Sequence, residues 1–321
     1  MARQAERVAH QLRGQGLSTV HSFVKQPIER AISSSAVGWL TRRRVRGKRL
    51  ILAYHGIIPE GEAPAGEPGL FVAQRDFARQ LDVLAAEADV VPLERIDEPG
   101  DGRPRVAITI DDAYRGAVNA GVRELAAHSL PATIFVAPAR LNNHVFWWDA
   151  LLYQSPERDQ QLRHHALHKL GGADERVRAW AADAGLPSRG VLPSYVQTAT
   201  RAELARALEF PGITLGSHTW SHPNLASLGV LEIGVELRRS RAWLLAEFGN
   251  RAINWLAYPY GLESVRARVA VAEASYAGAL CMGGGWHRPA DVSPFARPRL
   301  NIGAGLSVAG LRARLHGAML S

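Results

Sequence analysis

From residue 50 onward, short apolar runs alternate with longer segments of helical apolar spacing. A short apolar run is typical of a buried strand, whereas apolar residues three and four positions apart are typical of a helix. The runs span residues 50–55, 105–110, 132–137, 213–216, 255–258 and 299–302, and the helical patterns are clearest at residues 74–87 and 117–127. Strands separated by helices predict parallel βα units, and this many units predict an α/β barrel.

Residues 142–210 interrupt the alternation with a segment that we expect to be a mainly helical insertion. Within it, Thr200 and Glu203 form a capping-box sequence, which predicts a helix that continues through Leu208. We therefore expect a barrel domain over residues 50–321 and a separate N-terminal arm over residues 1–49.

The basic charge of the chain is confined to this N-terminal arm. Residues 1–49 hold 11 Lys and Arg against 2 Asp and Glu, which leaves 27 basic and 28 acidic side chains in the other 272 residues. A nearly neutral body argues against a nucleic-acid-binding protein. The arm fits either a solvated basic tail or a segment that contacts an anionic membrane. Its apolar spacing, interrupted at Pro27, fits either a pair of helices lying on the membrane surface or helices packed on the barrel. Because no apolar segment of a signal peptide follows its first charges, we expect a cytoplasmic or inner-membrane-face location.

Composition narrows the chemistry that the barrel can support. Apolar residues make up 47% of the chain, enough for a large core, and no stretch approaches the ~18 apolar residues of a membrane span. The single cysteine, Cys281, excludes an internal disulfide and a cysteine-based zinc site. Any bound metal must therefore be held by His, Asp and Glu.

Two adjacent carboxylates, Asp111 and Asp112, follow the strand predicted at residues 105–110. Neighbouring side chains at a strand end point to different sides, so one carboxylate can bind a cation while the other accepts a proton. Taken alone, the pair also fits a solvated turn or a helix N-cap.

Two histidines, His218 and His222, follow the strand predicted at residues 213–216. If the segment turns helically, residues four apart share a face and both imidazoles reach one divalent ion. Because Pro223 limits the turn, we expect a helix start or a loop here. One carboxylate from elsewhere completes a ligand set with open positions for water and substrate. Packing or chance explains an isolated pair of this spacing equally well.

A turn of sequence Pro259-Tyr260-Gly261 follows the strand predicted at residues 255–258. Proline and glycine fix the backbone tightly, so an N–H of this turn could donate to the oxygen of a reacting carbonyl. The alternative is an ordinary connection from a strand to a helix.

Together the three segments resemble the polysaccharide deacetylase, or NodB-homology, family of carbohydrate esterases. Residues 109–113 are similar to its Thr-Phe-Asp-Asp-Gly motif, residues 217–222 to its His-Ser/Thr-x-x-x-His motif, and residues 259–261 to its Pro-Tyr-Gly turn. Residues 50–55 and 146–149 resemble the branch that acts on exopolysaccharides. The resemblance covers about residues 50–302 and implies a distorted (β/α)7 TIM-like barrel.

The resemblance also implies a role for each motif residue. Asp111 corresponds to the general base, and the backbone N–H of Tyr260 to an oxyanion donor. Ligands of a divalent metal ion correspond to Asp112, His218 and His222. The implied reaction is hydrolysis of an N-acetyl group. We expect Zn²⁺, and Co²⁺, Ni²⁺ or Mn²⁺ would also suit these ligands.

The chain departs from the family pattern at three places. Ala113 replaces a glycine and Ile110 an aromatic residue, which is tolerable if the φ angle at Ala113 is negative. The arginine that often tethers the base is absent before the third motif, and Arg299 is the candidate substitute, with Arg297 behind it; a structural surface arginine is the alternative for either. No histidine motif is evident on the last strand. Because a closed barrel sets its first strand beside its last, His55 is the candidate catalytic acid, and a hydrogen-bonded structural histidine is the alternative.

Tryptophans near the motifs are candidate sugar contacts. Trp220 lies between the two histidines in sequence, and we expect it to contact the substrate. For Trp147 and Trp148 in the insertion, packing of at least one in the core is the simpler expectation.

These residues predict a metal-dependent hydrolase that removes N-acetyl groups from amino sugars of a polysaccharide or glycolipid. One alternative is a deformylase or deacylase of a lipid-linked sugar, which the basic arm favours. Another is a catalytically inactive glycan-binding protein, which the displaced arginine and acid favour. Because the ligands and the base are all present, the sequence favours the active enzyme.

Overall fold

The structure is a computed structural model that describes residues 45, 47–100, 102–151 and 156–317. The described strands are β1 (Arg49–Tyr54), β2 (Gly56–Ile58), β3 (Phe71–Ala73), β4 (Asp89–Val90), β5 (Arg105–Ile110), β6 (Ala132–Val136), β7 (Ile213–Ser217), β8 (Ala252–Ala257), β9 (Gly278–Met282) and β10 (Arg297–Asn301). The described α-helices are α1 (Gln74–Glu87), α2 (Val122–Ala127), α3 (Trp147–Ala150), α4 (Pro156–His168), α5 (Asp174–Asp183), α6 (Arg201–Ala207), α7 (Val230–Phe248), α8 (Val265–Glu273) and α9 (Val308–Leu315).

Seven parallel strands close into a barrel in the order β1-β10-β9-β8-β7-β6-β5, and β5 returns to β1. The two-residue strand β4 lies beside the start of β5, and β2 pairs with β3 in a separate small sheet. This arrangement confirms the predicted distorted (β/α)7 barrel. Strand β1 lies between β10 and β5, so the first strand is beside the last, as barrel closure requires.

The register of β1 and β5 sets the residues that follow these two strands beside each other. Their pairs run from Arg49 with Arg105 to Tyr54 with Ile110. The next residues, His55 and Asp111, therefore emerge at the same end of the barrel.

Most residues of the barrel strands are buried on both faces of the sheet, as expected for parallel strands covered by helices. In β5 all six residues are buried, with Ile108 and Ile110 in the core beneath the helices and Ala107 in a separate cluster inside the barrel. That interior cluster consists of Ile51, Val91, Leu93, Ile96, Ala107, Phe135, Ile253, Trp255, Ala257 and Leu280. The alternation matches the two-residue period of a strand.

Helices α3 to α6 lie between β6 and β7, in the segment where the sequence predicts an insertion. The capping box at the start of α6 is present: the Glu203 N–H donates to Thr200 Oγ1 (3.2 Å), and the Thr200 N–H donates to the Glu203 carboxylate (2.8 Å). The helix ends at Ala207, one residue before the predicted end.

Other boundaries differ from the prediction in places. Strand β8 begins at Ala252, three residues before the predicted start, and β9 is absent from the prediction. The helix predicted at residues 117–127 begins with a π-helical turn, Ala117–Gly121. The predicted helices of the basic arm lie outside the described residues. Among the helices described, none combines the length and the apolarity that crossing a bilayer requires.

Candidate active site

Polar side chains converge at the carboxyl end of the barrel, the end where parallel barrels place their active sites. Asp111 and Asp112 follow β5, and His218 follows β7. The Pro259–Gly261 turn comes shortly after β8, and Arg299 lies on β10.

Three of these side chains form a group that could hold a metal ion. In the part of the chain that the structure describes, Asp112, His218 and His222 are the group of His, Cys, Asp or Glu side chains whose ligand atoms lie within 4.8 Å of one another. Asp112 Oδ1 is 3.2 Å from His222 Nε2 and 3.5 Å from His218 Nε2. Tetrahedral ligands at about 2.0–2.1 Å from Zn²⁺ are separated by about 3.3 Å, so these two distances fit a shared ion.

Hydrogen bonding supports the same interpretation. His218 Nδ1 is 2.7 Å from the Ala257 carbonyl oxygen, which can only accept, so Nδ1 carries the proton. In the neutral imidazole, Nε2 then presents a lone pair toward Asp112 Oδ1. That oxygen is buried without a hydrogen-bond partner, as is His222 Nδ1. In that neutral form, a cation between the two facing acceptor atoms would stabilise them, and the fixed tautomer is typical of metal-binding histidines.

The charges of Asp112 and His222 are consistent with ligands for a cation. Burial raises the pKa of the Asp112 carboxyl, but the imidazoles of His218 and His222 outweigh burial and hold it far below its usual range. Burial lowers the pKa of His222, which favours its neutral form. For His218, burial lowers the pKa and the carboxylates of Asp111 and Asp112 raise it, with an upward net shift.

The segment that carries the two histidines is a loop, one of the two geometries that the sequence predicts for it. Thr219 and His222 are left-handed, with φ angles of 65° and 64°. The Glu236 carboxylate on α7 accepts the N–H groups of Trp220 (2.9 Å) and Ser221 (2.8 Å), and the Thr219 hydroxyl accepts the His222 N–H (3.1 Å). Side-chain oxygens therefore accept the backbone N–H groups that carbonyl oxygens would accept in a helix.

The second carboxylate, Asp111, is bound by an arginine inside the barrel. Arg299 donates from Nη1 to Asp111 Oδ1 and from Nη2 to Oδ2, both at 2.7 Å, and from Nη1 to Thr109 Oγ1 at 3.1 Å. Burial raises the pKa of Asp111, but the charges of Arg299 and His218 outweigh it and the net shift is downward. The arginine that the third motif lacks thus has a counterpart in space from β10. Arg297, by contrast, pairs with Asp97 (2.6 Å).

His55 lies next to this pair. Its Nε2 is 3.9 Å from Asp111 Oδ2, and its Nδ1 is buried without a hydrogen-bond partner. Burial lowers the pKa of the imidazole, although the Asp111 carboxylate opposes this shift. A lowered pKa makes the protonated ring a stronger acid.

The condition of a negative φ at Ala113 is not met. Its φ is 49°, and that of Asp112 before it is 68°. The segment therefore keeps the left-handed conformation for which the family has glycine, and the alanine methyl adopts it at a cost of about 1–2 kcal/mol.

Aromatic rings surround His222. Ring centroids lie 4.8 Å away for Tyr260, 5.2 Å for Trp148 and 5.3 Å for Phe146. The Trp220 ring instead lies against Arg239, with the guanidinium carbon 3.9 Å from the ring centroid, so its role as a sugar contact stays a prediction.

The sequence does not predict the buried hydrogen-bond network behind these rings. Trp148 donates from Nε1 to the Tyr114 hydroxyl (2.9 Å), and that hydroxyl donates to Asp149 Oδ2 (2.6 Å). Burial raises the pKa of Asp149 to about 7, although the Tyr114 and Glu67 hydrogen bonds oppose the shift. In the sequence, residues 146–149 carry only a family resemblance, and nothing in them indicates that Asp149 binds Tyr114.

Comparisons with known proteins identify the family and the fold of the chain. A family profile described as "Polysaccharide deacetylase" matches residues 99–279, more than half of the chain. No curated protein sequence matches the chain significantly.

Several solved structures share the fold. The deacetylase PplD of Streptococcus pyogenes, solved in complex with acetate, is 17% identical with a TM-score of 0.59 over 84% of this chain and 99% of that chain. IcaB from Ammonifex degensii is 15% identical with a TM-score of 0.58 over 84% of this chain and 97% of its own. A de-N-acetylase from Aggregatibacter actinomycetemcomitans is 14% identical with a TM-score of 0.53, over 79% and 94%.

Proposed function

This chain belongs to the polysaccharide deacetylase family, whose members are hydrolases of the C–N bond of N-acetyl groups, and from this premise we propose a metal-dependent N-deacetylase of amino sugars in a polysaccharide or glycolipid. One observation carries the proposal. Three ligand atoms of Asp112, His218 and His222 converge, while a second carboxylate, Asp111, lies beside them and is bound to a buried arginine.

The three converging side chains would hold the metal ion. Their donor set of two imidazoles and one carboxylate suits Zn²⁺, and Co²⁺, Ni²⁺ or Mn²⁺ are the other candidates. A divalent cation there would polarise the amide carbonyl and lower the pKa of a nearby water molecule.

Asp111 is suited to accept the proton of the attacking water. Arg299 keeps the carboxylate ionised and fixes its orientation through two hydrogen bonds. Asp111 Oδ2 also lies 4.0 Å from His218 Nε2, so the base faces the ligand group without belonging to it.

Tyr260 and His55 would serve the two ends of the breaking amide. The Tyr260 N–H donates to no backbone acceptor among the described residues and can bind the carbonyl oxygen as it gains charge. When the C–N bond breaks, His55 would give a proton to the leaving nitrogen, so that acetate and a free amine result.

Two variants and one control test these assignments. Asp111→Asn should retain the metal and lose turnover, because the amide cannot accept the proton. His222→Ala should lose the metal, since two ligands remain. His128→Ala is the control, because this imidazole pairs with Asp82 on α1, away from the site.

The readouts are metal content after dialysis and acetate release from N-acetylglucosamine oligomers with and without chelator. Full activity of Asp111→Asn, or full metal content of His222→Ala, would contradict the assignment. Metal-dependent acetate release would exclude the inactive glycan-binding alternative.

The charge of residues 1–49 supports a second candidate, deformylation or deacylation of a lipid-linked sugar at the inner membrane face. Formate release exceeding acetate release across a set of N-acylated sugars would favour it. Deletion of residues 1–49 should then reduce sedimentation with anionic vesicles, and unchanged sedimentation would count against membrane contact.

A further inference from the structure

Tyr260 holds a backbone conformation that its own turn does not explain. Its φ and ψ angles are 60° and 5°, a left-handed conformation that costs a side-chain-bearing residue about 1–2 kcal/mol. The local hydrogen bonds of the turn come from its neighbours: the Gly261 N–H donates to the Tyr258 carbonyl, and the Leu262 N–H to that of Pro259. Something outside the turn must compensate for the strain.

The compensating contacts come from the helical insertion. The Tyr260 hydroxyl donates to the Gly172 carbonyl oxygen at 2.7 Å and accepts the Trp147 indole N–H at 3.1 Å. The ring also meets Trp148 edge-to-face at 5.5 Å. Both hydrogen bonds of the side chain therefore end on residues between β6 and β7, and none of these residues belongs to a barrel strand.

Gly172 leaves room for this ring. A Cβ atom at Gly172 would lie 2.5 Å from Tyr260 Cε2 and 2.9 Å from Cζ, closer than side chains tolerate. Its φ of 64° is a second reason for glycine, but many residues of the chain meet that condition without touching the site. The reason that concerns the site is the close approach of the Tyr260 ring.

The turn that carries Gly172 is fixed to the rest of the site. The Gly172 N–H donates to the Ala166 carbonyl at the end of α4 (2.8 Å), and the Gly171 carbonyl accepts the Asn224 N–H (2.8 Å), two residues after His222. These hydrogen bonds fix the turn relative to the histidine loop. Because the Tyr260 hydroxyl donates to the Gly172 carbonyl oxygen, the turn also fixes the position of the Tyr260 side chain.

We propose that Gly172 is a positioning residue for the oxyanion donor: by admitting the Tyr260 ring against the insertion, it fixes the backbone conformation that aims the Tyr260 N–H at the reacting carbonyl. This inference rests on the proposed amide hydrolysis. It gives the insertion a part in catalysis, because residues of the insertion bind the side chain of Tyr260, whose N–H is the donor in the turn after β8.

The test compares two left-handed glycines of the insertion. Gly172→Ala displaces the Tyr260 ring, whereas a Cβ at Gly185, with φ of 63°, meets nothing within 4 Å. Both variants carry the same backbone strain, so their difference reports the contact with Tyr260. An oxyanion donor acts in the transition state, so Gly172→Ala should lower kcat about 10- to 100-fold below Gly185→Ala with KM within about twofold.

A second variant and a coupling measurement guard against a folding defect. Tyr260→Phe keeps the ring and removes both hydrogen bonds, and it should also lower kcat and leave KM unchanged. In a Tyr260→Ala background the ring is gone, so Gly172→Ala and Gly185→Ala should then lower the thermal midpoint equally. Metal content should stay at the wild-type level in every variant.

The outcomes separate this inference from the proposed function. An active wild type whose kcat is the same in Gly172→Ala and Gly185→Ala overturns the positioning role alone. So does an excess thermal cost of Gly172→Ala that persists without the Tyr260 ring. A wild type that releases no acyl group from any N-acylated sugar overturns the proposed function, whatever the thermal comparison gives.

Discussion

The ion pair of Arg299 and Asp111 makes a prediction whose size follows from burial. Both side chains are buried, at 0% and 3% exposure, and two hydrogen bonds of 2.7 Å join them. Arg299→Met keeps much of the side-chain volume but leaves the Asp111 carboxylate without its cation. Breaking one partner of a buried pair typically costs about 3–5 kcal/mol.

Protonation limits that cost. An uncompensated Asp111 can take up a proton, which costs about 1.4 kcal/mol for each pH unit above its ordinary pKa of 3.8. The limit is about 4 kcal/mol at pH 7 and falls below about 2 kcal/mol at pH 5. The sign agrees with the wild type: the depressed pKa of Asp111 contributes stability above pH 3.8 that is lost as the pH falls.

The reverse variant, Asp111→Asn, behaves differently with pH. It leaves a buried guanidinium that cannot lose its proton, so its cost should not fall between pH 7 and pH 5. In the double variant no unpaired charge remains, and the two costs should not add: we expect a coupling energy of at least about 2 kcal/mol.

Urea unfolding of the four proteins at pH 5 and pH 7, in chelator so that metal binding does not contribute, measures these differences. Arg297→Met is the matched control from the same strand, because its partner Asp97 is 40% exposed and stays hydrated without the arginine. We expect that control to cost under about 1 kcal/mol at both pH values. Equal costs of Arg299→Met at pH 5 and pH 7, or additive costs in the double variant, would refute the reasoning.

Three smaller predictions concern residues around the site. Burial raises the pKa of Asp149 to about 7, so the folded protein should lose up to about 4 kcal/mol of stability between pH 4 and pH 7. Asp149→Asn cannot ionise, so its stability, measured by urea unfolding, should decline less over this range. Equal declines in the variant and the wild type would contradict this. Glu236→Ala removes the acceptor of the Ser221 N–H and should weaken metal affinity about 10- to 100-fold in chelator competition, whereas unchanged affinity would show that the loop holds itself. Ala113→Gly relieves left-handed strain of about 1 kcal/mol and loses a buried methyl group worth about 0.8 kcal/mol, so its stability should stay within about 0.5 kcal/mol of wild type. The control, Ala267→Gly in α8, loses a methyl group and helix propensity, and should cost about 2 kcal/mol.

Elements with a complete local signal were predictable to the residue. The sequence pattern predicts β5 at residues 105–110 and α1 at residues 74–87, and the structure has both with those bounds. Strand β9 lacks such a signal, because Gly278 and Ala279 are small and its last two residues are half-buried. In β8, Asn254 breaks the apolar run, since it faces outward and accepts a hydrogen bond from Arg241. Tertiary pairing with neighbouring strands forms both elements despite their weak propensity.

The site was predictable where topology alone determines proximity. Closure of the barrel puts β10 beside β1, and β1 beside β5, so candidates on these strands, Arg299 and His55, lie next to Asp111. Contacts from the insertion were not predictable in this way. Nothing in the sequence around Gly172 or Trp147 indicates that both meet Tyr260, because a helical insertion can pack against the barrel mouth in many ways.

The motif segments carry left-handed backbone conformations that the motifs themselves do not predict. Five of the nine left-handed non-glycine residues described lie in the three motif segments: Asp112, Ala113, Thr219, His222 and Tyr260. At about 1 kcal/mol each, their combined strain approaches the net stability of a typical domain, so surrounding contacts must hold every one of them. Glycine would relax all five, but at four of them it would delete a proposed metal ligand, the hydroxyl that binds the His222 N–H, or the ring that anchors the proposed oxyanion donor. Ala113 is the exception, with only a methyl group to lose, and it is also the position where the family carries glycine.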